Sequence, residues 1–228
     1  MKKYLIVCLL FGLFASCDKL DTYDEPKETL TGAVIDITTN KPIQTEQPNG
    51  YRLRLMELSW SDNPIPLYFW GKADGTFNNS KVFAGEYEIT PVEGAFFSPA
   101  PQTVKIKGTV NVEFKVTPYL SVHADQITLA NDQLLVKYRI LRTQEGDKIY
   151  DSRVFVSTNP NVGFNVLIGS LSPLRDLRSI DDQTILQTTF EEQITGLEKG
   201  KTYYVRIGAR TNNPSLRYNF SETTKIEN

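Results

Sequence analysis

VKIKGTVNVEFKV, residues Val104–Val116, is the stretch that decides the fold. Apolar and polar side chains alternate on both sides of Lys107-Gly108, which is the period of a strand with one buried face. Two such runs joined by a short turn that contains glycine predict a β-hairpin. Its apolar positions are Val104, Ile106, Val110, Val112, Phe114 and Val116.

The same alternation runs from Leu30 towards the C-terminus, with Gly, Pro, Asn or Asp about every eight to twelve residues. Half-buried strands are predicted at Leu53–Leu55, Leu134–Ile140 and Tyr203–Ala209, and turns at Asp74-Gly75 and Asn131-Asp132. Residues 169–182 lack alternation, which predicts a long loop or a short helical turn. The pattern indicates an all-β protein built from two tandem antiparallel β-sandwiches.

The N-terminus, MKKYLIVCLLFGLFASC, combines Lys2 and Lys3 with an apolar run and the small pair Ala15-Ser16 directly before Cys17. The apolar run is shorter than the roughly 20 residues that a membrane span needs, so it reads as a secretory signal. Cys8 would be removed with it, which leaves Cys17 alone. Because a lone thiol is disfavoured in an oxidising compartment, lipidation of Cys17 is predicted rather than an ordinary signal with an incidental cysteine.

The remaining chain of about 210 residues exceeds the usual size of one domain, so two domains are expected. Pro118 ends one series of strands and a fresh series follows it. The predicted organisation is a signal peptide at 1–17, a flexible acidic tether at 18–28, and sandwiches at 29–118 and 119–228. The net charge of −2, with both signs interspersed, gives no sign of a nucleic-acid partner.

Residues suited to catalysis are scarce. The chain has a single histidine, His123, in a predicted strand with no catalytic motif around it, and we expect it to face solvent. Zinc sites of His and Cys are excluded by composition, and Asp181-Asp182 alone supplies too few oxygen ligands for calcium. No cofactor, metal or catalytic residue is therefore predicted, although a pair of carboxylates acting as a hydrolase stays open.

The segment from Trp60 to Trp70, WSDNPIPLYFW, is the most unusual in local composition. Aromatic faces stack on sugar C–H groups, and neighbouring polar groups bind hydroxyls. The candidate contacts for a glycan or a partner protein are Trp60, Asp62, Asn63, Tyr68, Trp70, Lys72, Phe96 and Phe97. Large aromatic residues also dominate cores, so the favoured interpretation buries at least one tryptophan in the sandwich or at the domain junction.

Three segments of the first domain resemble transthyretin-like, carboxypeptidase-regulatory domains: TGAVIDITTNKPI (31–43), DGTF (74–77) and AGEYEITP (84–91). LEKGKTYYVRIGAR (197–210) resembles the tyrosine corner of a fibronectin type III domain, with Leu197, Gly200 and Tyr203 at the characteristic spacing. The early tryptophan of that fold is missing, since both tryptophans lie in the first domain.

Nearly the whole chain is similar to the DUF3823 family of Bacteroidetes lipoproteins, through CDKLDTYDEP, QPNGYRLRLMELSW, FWGKADGTF and VFVSTNPNVG. The resemblance implies an association with SusC-type transporters and SusD-type glycan-binding lipoproteins. The acidic residues after Cys17 resemble a surface-export signal, so a lipid anchor in the outer membrane, facing outwards, is expected. The leading hypothesis is non-enzymatic capture or presentation of a polysaccharide. The alternatives are a structural or protein-interaction lipoprotein and, third, the hydrolase.

Overall fold

The computed structural model describes residues 24–228, so the signal peptide, the lipidation site Cys17 and most of the predicted tether lie outside the described residues. The described chain forms sixteen strands and one short α-helix. The strands form four sheets that pack as two β-sandwiches, which confirms the predicted fold class. Within residues 24–228, no helix is long and apolar enough to cross a membrane.

The first sandwich packs one sheet of order β4-β1-β8-β6 against another of order β3-β2-β5-β7. Alternation places Leu30, Val34 and Phe114 of the first sheet against Leu53 and Ile89 of the second, and all five are almost fully buried. The strands are β1 (Glu28–Asp36), β2 (Arg52–Glu57), β3 (Leu67–Trp70), β4 (Thr76–Val82), β5 (Gly85–Val92), β6 (Phe96–Phe97), β7 (Gln102–Ile106) and β8 (Thr109–Pro118).

The predicted hairpin at Val104–Val116 is wrong, although both of its strands exist. β7 pairs with β5 in one sheet, whereas β8 pairs with β1 and β6 in the other. The chain crosses between the sheets at Lys107-Gly108, where Gly108 has φ +71°. Alternation reveals that a strand has a buried face but not which sheet it joins, and a left-handed glycine serves a corner between sheets as well as a hairpin. The β1–β8 pairing is also parallel, a departure from the purely antiparallel prediction.

The second sandwich packs a sheet of order β13-β10-β9 against one of order β12-β11-β14-β15, with β16 pairing to β14. Residues 169–182, predicted as a loop or helical turn, contain a 3₁₀ turn at Gly169–Leu171 and strand β12 before the helix begins. The elements are β9 (Ser121–Ala130), β10 (Gln133–Leu141), β11 (Ile149–Ser157), β12 (Leu174–Asp176), α1 (Asp182–Gln187), β13 (Thr189–Thr195), β14 (Thr202–Thr211), β15 (Asn219–Phe220) and β16 (Thr224–Glu227).

Two local predictions in the second sandwich are confirmed. Asn131 and Asp132 both have positive φ and form the tight turn between β9 and β10. The hydroxyl oxygen of the buried Tyr203 accepts a 2.8 Å hydrogen bond from the backbone N–H of Glu198, and Gly200 has φ +75°. This tyrosine corner closes the connection from β13 to β14.

Buried polar groups join the two sandwiches. Arg206 Nη1, from the second, donates to the carbonyl oxygen of Thr45 in the first at 2.8 Å. Asn219 donates to the carbonyl oxygen of Ala95 at 2.8 Å and accepts from Leu120 N–H at 3.0 Å. These directional contacts fix how the two domains meet, and they bring surfaces of both domains side by side.

Candidate functional site

Neither tryptophan is buried, so the interpretation that buries at least one of them in the sandwich or at the domain junction is wrong, although Trp70 contacts Arg217 of the second domain. Trp60 is 60% exposed and Trp70 is 40% exposed. The reason is the strand period: Phe69 takes the core-facing position on β3, which turns Tyr68 and Trp70 to the outer face of the sheet. Trp60 lies outside the strands, in the connection between β2 and β3.

Tyr68 and Trp70 form a row with two arginines that we call the aromatic strip. The guanidinium carbon of Arg52, on the neighbouring strand β2, lies 4.3 Å from the Tyr68 ring centroid and 5.5 Å from that of Trp70. Arg217 of the second domain lies 5.8 Å from the Trp70 ring. Cation–π attraction of this kind holds the rings in place. The strip is therefore an ordered row of aromatic and cationic groups that starts on the first sandwich and ends on the second.

Carboxylates on the same sheet face hold Arg52 of the strip and its neighbour Arg54. Arg52 forms an ion pair with Glu93, and the hydrogen bond to Glu93 raises the pKa of the already strongly basic Arg52. Next to it, Arg54 pairs with Glu88 at 3.4 Å and bonds to the Thr90 hydroxyl. Both arginines are oriented by these partners, and each has a carboxylate beside it.

Exposed apolar side chains continue beyond the strip on the second domain. Leu216, next to Arg217, is 41% exposed and its carbonyl oxygen accepts a bond from Arg210. The Arg210 guanidinium also lies 5.8 Å from the ring of Phe164, which is half exposed. Exposed apolar side chains are thus present on the second domain as well as on β3.

Trp60, Asp62 and Asn63 lie apart from the aromatic strip. β2 and β3 run antiparallel, with Arg52 opposite Trp70, so their connecting loop lies at the far end of the sheet. There Trp60 and Phe83 line a shallow pocket of about 190 Å³. Asp62 and Asn63 are exposed in the same loop. The structure therefore does not bring these three candidates together with Tyr68 and Trp70.

Lys72 is exposed just after β3, in the turn that leads to β4. Its backbone N–H donates to the Thr76 carbonyl at 2.8 Å, and Gly75 within the turn has φ +76°, so the predicted turn is confirmed. Partial burial opposes the ionised form of Asp74, but hydrogen bonds from Thr76 and the charge of Lys72 outweigh it and lower the Asp74 pKa. Lys72 thus contributes to the charge of this turn.

Phe96 and Phe97 do not form an exposed patch. Phe96 is buried in the first core, 6.2 Å from the ring of Tyr51, so its prediction as a surface contact is wrong. Phe97 is half buried, and its ring makes an edge contact with Tyr119 at 4.9 Å. Pairing of β6 with the end of β8 turns successive side chains to opposite faces, one of them to the core.

A cleft of about 1160 Å³ between the domains was not predicted from the sequence. Its lining mixes hydroxyl and charged groups with apolar side chains, and His123, exposed as expected, lies on its wall. Its lining residues come from segments far apart in the chain, including Thr38, Asp74, His123, Thr143 and Glu222. No local motif marks such a surface, because only the packing of the two domains creates it.

Asp181 and Asp182 have structural partners instead of a metal ion. Asp181 caps the N-terminus of α1 by accepting from Thr184 N–H at 3.0 Å. Asp182 forms ion pairs with Arg142, at 2.9 Å, and with Lys148. Among residues 24–228, no group of three or more potential metal ligands occurs.

Two family models together account for most of the chain. The model described as "Protein of unknown function (DUF3823) N-terminal domain" matches residues 28–117, and "Domain of unknown function (DUF3823_C)" matches residues 120–225. The chain belongs to the DUF3823 family. Solved structures support the same conclusion: a DUF3823 family protein from Bacteroides uniformis is 27% identical with a TM-score of 0.77, covering 89% of this chain and 99% of that one.

Two further structures share the DUF3823 fold at lower identity. A family member from Parabacteroides merdae is 20% identical, with a TM-score of 0.74 and coverage of 90% of this chain and 100% of that one. A Bacteroides uniformis protein described as a "putative carbohydrate binding protein" is also 20% identical, with a TM-score of 0.73 and coverage of 89% and 100%. No curated protein matches the chain.

Proposed function

We propose that this DUF3823 protein is a non-enzymatic lipoprotein of the outer membrane that captures or presents a polysaccharide through the aromatic strip. The observation that carries the proposal is the pair Tyr68 and Trp70, which expose their rings side by side on one sheet face, next to Arg52 and Arg217. An extended ligand lying along β3 would meet both rings and then the second domain.

The chemistry of the strip fits a sugar chain. Ring faces offer apolar platforms for sugar C–H groups, while guanidinium N–H groups donate to hydroxyl or carboxylate oxygens. Arg52 is held by Glu93 and by both rings, so its side chain loses little conformational entropy when a ligand binds. The Bacteroides uniformis relative described as a "putative carbohydrate binding protein" adds support from the same fold.

The proposed location and partners rest on the N-terminal sequence and on the transporter association that the DUF3823 resemblance implies. Acylation of Cys17 would anchor the protein, and Asp18, Asp21, Asp24 and Glu25 supply the acidic stretch expected of surface export. A SusC/SusD-type transporter complex is the proposed partner. Protease treatment of intact cells tests the outward orientation: we expect the protein to be digested, and full protection would place it in the periplasm.

A Ser-His-Asp mechanism centred on His123 is disfavoured by the surroundings of that residue. Ser121, His123 and Asp125 occupy alternate positions along β9. Asp125, however, accepts three hydrogen bonds from Arg139, the shortest at 2.7 Å, and that pairing lowers the Asp125 pKa. Its carboxylate is engaged by a cation instead of orienting an imidazole.

Affinity electrophoresis of residues 18–228 tests the proposed function, with gels containing xylan, mannan, inulin, pectin or chondroitin sulfate. We expect retardation by at least one polysaccharide, and Trp70→Ala to weaken binding about tenfold, equivalent to about 1.4 kcal/mol. Trp60→Ala is the matched control, because it removes an equally large exposed ring outside the strip. Failure of every polysaccharide to retard the protein would contradict capture and favour the structural or protein-interaction role; release of sugar would indicate a hydrolase.

A further inference from the structure

The end of the first sandwich that points away from the second domain exposes an apolar cluster, which we call the tip. Its members are Leu58, Trp60, Ile65 and Phe83, with exposures of 42%, 60%, 83% and 40%. The first three belong to the loop between β2 and β3, and Phe83 follows β4. Isolated exposed apolar residues are ordinary, but a cluster that includes two aromatic rings indicates an interaction surface.

The tip lies where the described chain begins. β1 starts at Glu28, which pairs with Val82, so the polypeptide enters the sandwich directly beside Phe83. Asp24 and Lys27 line the same shallow pocket as Trp60 and Phe83. The described chain therefore begins at the tip.

The reach of the intervening chain is short. Seven residue steps separate Cys17 from Asp24, and a fully extended chain of that length spans at most about 25 Å. If Cys17 carries acyl chains embedded in a bilayer, the tip is held within that distance of the lipid surface. The domain junction and the aromatic strip, at the other end of β2 and β3, point away from it.

We propose that the tip docks on the surface of the bilayer that holds the anchor, with Trp60 and its apolar neighbours at the lipid–water interface. Tryptophan is enriched at this depth because its ring is apolar and its N–H is polar. The inference rests on the acylation of Cys17 in the proposed function.

Because the anchor tethers the protein to the bilayer, even a weak affinity of the tip for lipid would populate the docked state. A short flexible linker gives an effective concentration on the order of millimolar, so a few interfacial side chains can populate the docked state. Asp24, Glu25 and Asp62 around the tip are acidic. Docking is therefore driven by apolar contact and does not require anionic lipid.

The test uses the full acylated protein in phosphatidylcholine vesicles that contain a brominated phosphatidylcholine. Bromine quenches indole emission only on close approach, and each tryptophan can be read alone. In the Trp70→Phe variant the emission comes from Trp60, and we expect it to fall by about half in brominated vesicles if the ring lies at the interface. In the Trp60→Phe variant the emission comes from Trp70 and should remain unquenched.

A second pair of variants tests the neighbours of Trp60. In the Trp70→Phe background, Ile65→Ser should reduce the quenching of Trp60 about twofold, because it removes the most exposed apolar group of the tip. Leu174→Ser is the matched control, since Leu174 is 52% exposed on β12 of the second domain. Both side chains lie largely in solvent, so neither substitution removes a core contact.

Flotation of the vesicles distinguishes a failure of the lipid anchor from a failure of the tip to dock. Protein that does not float with lipid lacks a working anchor, which overturns the anchoring and the docked tip together. Protein that floats while Trp60 is no more quenched than Trp70 overturns docking alone. Self-association of the floated protein with unquenched Trp60 would assign the tip to a second copy of the chain and would equally overturn the proposal.

Discussion

The two ends of the first sandwich are built on opposite principles. At the junction, buried polar and charged groups such as Arg206, Glu46 and Asn219 bond across the domains. At the tip, Trp60 and Ile65 are apolar and exposed. One end of the sandwich is therefore closed by directional contacts within the chain, whereas the other leaves apolar side chains exposed to solvent.

The buried charges at the junction set the orientation of the domains, but burying them costs desolvation free energy. Burial raises the pKa of Glu46 even though Asn165 N–H donates to it at 2.8 Å and Arg206 is near. Burial likewise lowers the pKa of Arg206 to about 10, against the attraction of Glu46. Both shifts mean that desolvation outweighs the attraction within the pair, so the pair contributes specificity of docking more than stability.

Removing one member of this pair is expected to have the largest effect. Arg206→Met keeps an apolar contact with Phe220 but removes the hydrogen bond to the Thr45 carbonyl. It also removes the stronger of the two cationic attractions on buried Glu46, leaving only that of Arg217, so the free energy of unfolding should fall by about 3 kcal/mol. Urea denaturation measures it. The control is Arg178→Met, because Arg178 is 60% exposed in its surface ion pair with Asp176 and should change stability little. Equal effects of the two substitutions would contradict the account of the junction.

The uncharged link at the junction should matter less. Asn219→Ala removes the bonds to the Ala95 carbonyl and the Leu120 N–H, leaving buried groups unpaired at a cost of about 1–3 kcal/mol. Asn212→Ala, at an exposed position before β15, is the comparison. Identical urea midpoints for the two variants would show that Asn219 does not hold the domains.

The pH dependence of stability should reveal Glu46. Its folded-state pKa is raised above the ordinary 4.5, so the folded protein binds this proton more readily than the unfolded chain does. Above the folded-state pKa, the folded protein holds Glu46 ionised and bears the full cost of burying its charge. As the pH falls from 7 towards 4.5, Glu46 takes up a proton in the folded state first, so the free energy of unfolding increases. Carboxyls with lowered pKa, such as Asp74 and Asp176, titrate below that window. We expect Glu46→Gln to flatten the rise, and an unchanged profile would contradict burial of the charge.

The tip should contribute least to folding. Ile65 is 83% exposed, so Ile65→Ser should change the free energy of unfolding by less than about 0.5 kcal/mol. Thermal and urea unfolding of the variant measure this directly. A loss comparable to that of Asn219→Ala would mean that the tip is part of the packed structure and not a free surface.

The fold class could be predicted from the sequence because alternation and turn chemistry are local. The turn at Asn131-Asp132 and the Tyr203 corner depend on residues a few positions apart. The corner at Lys107-Gly108 could not be distinguished from a hairpin, since strand pairing is decided by packing between distant segments.

The candidate site could be predicted only in part, for the same reason. The local composition predicts Tyr68 and Trp70 as contact residues. It does not predict Arg217, which contacts Trp70 from the second domain and is far from it in sequence. Trp60 was grouped with Trp70 because of sequence proximity, and the antiparallel course of β2 and β3 separates them. The sequence does not show that Phe96 is buried, because either ring of the Phe96-Phe97 pair could face the core. On a strand, one of two successive side chains points inwards, and here it is Phe96.

One measurement tests directly whether the strip, and not the tip, holds a glycan. The single-tryptophan variants Trp60→Phe and Trp70→Phe are titrated with the polysaccharide that retards the native protein most strongly, and indole emission is recorded. If the aromatic strip binds the glycan, we expect a saturable change in the emission of Trp70 and none in that of Trp60. A response from Trp60 alone, or the same response from both, would contradict it.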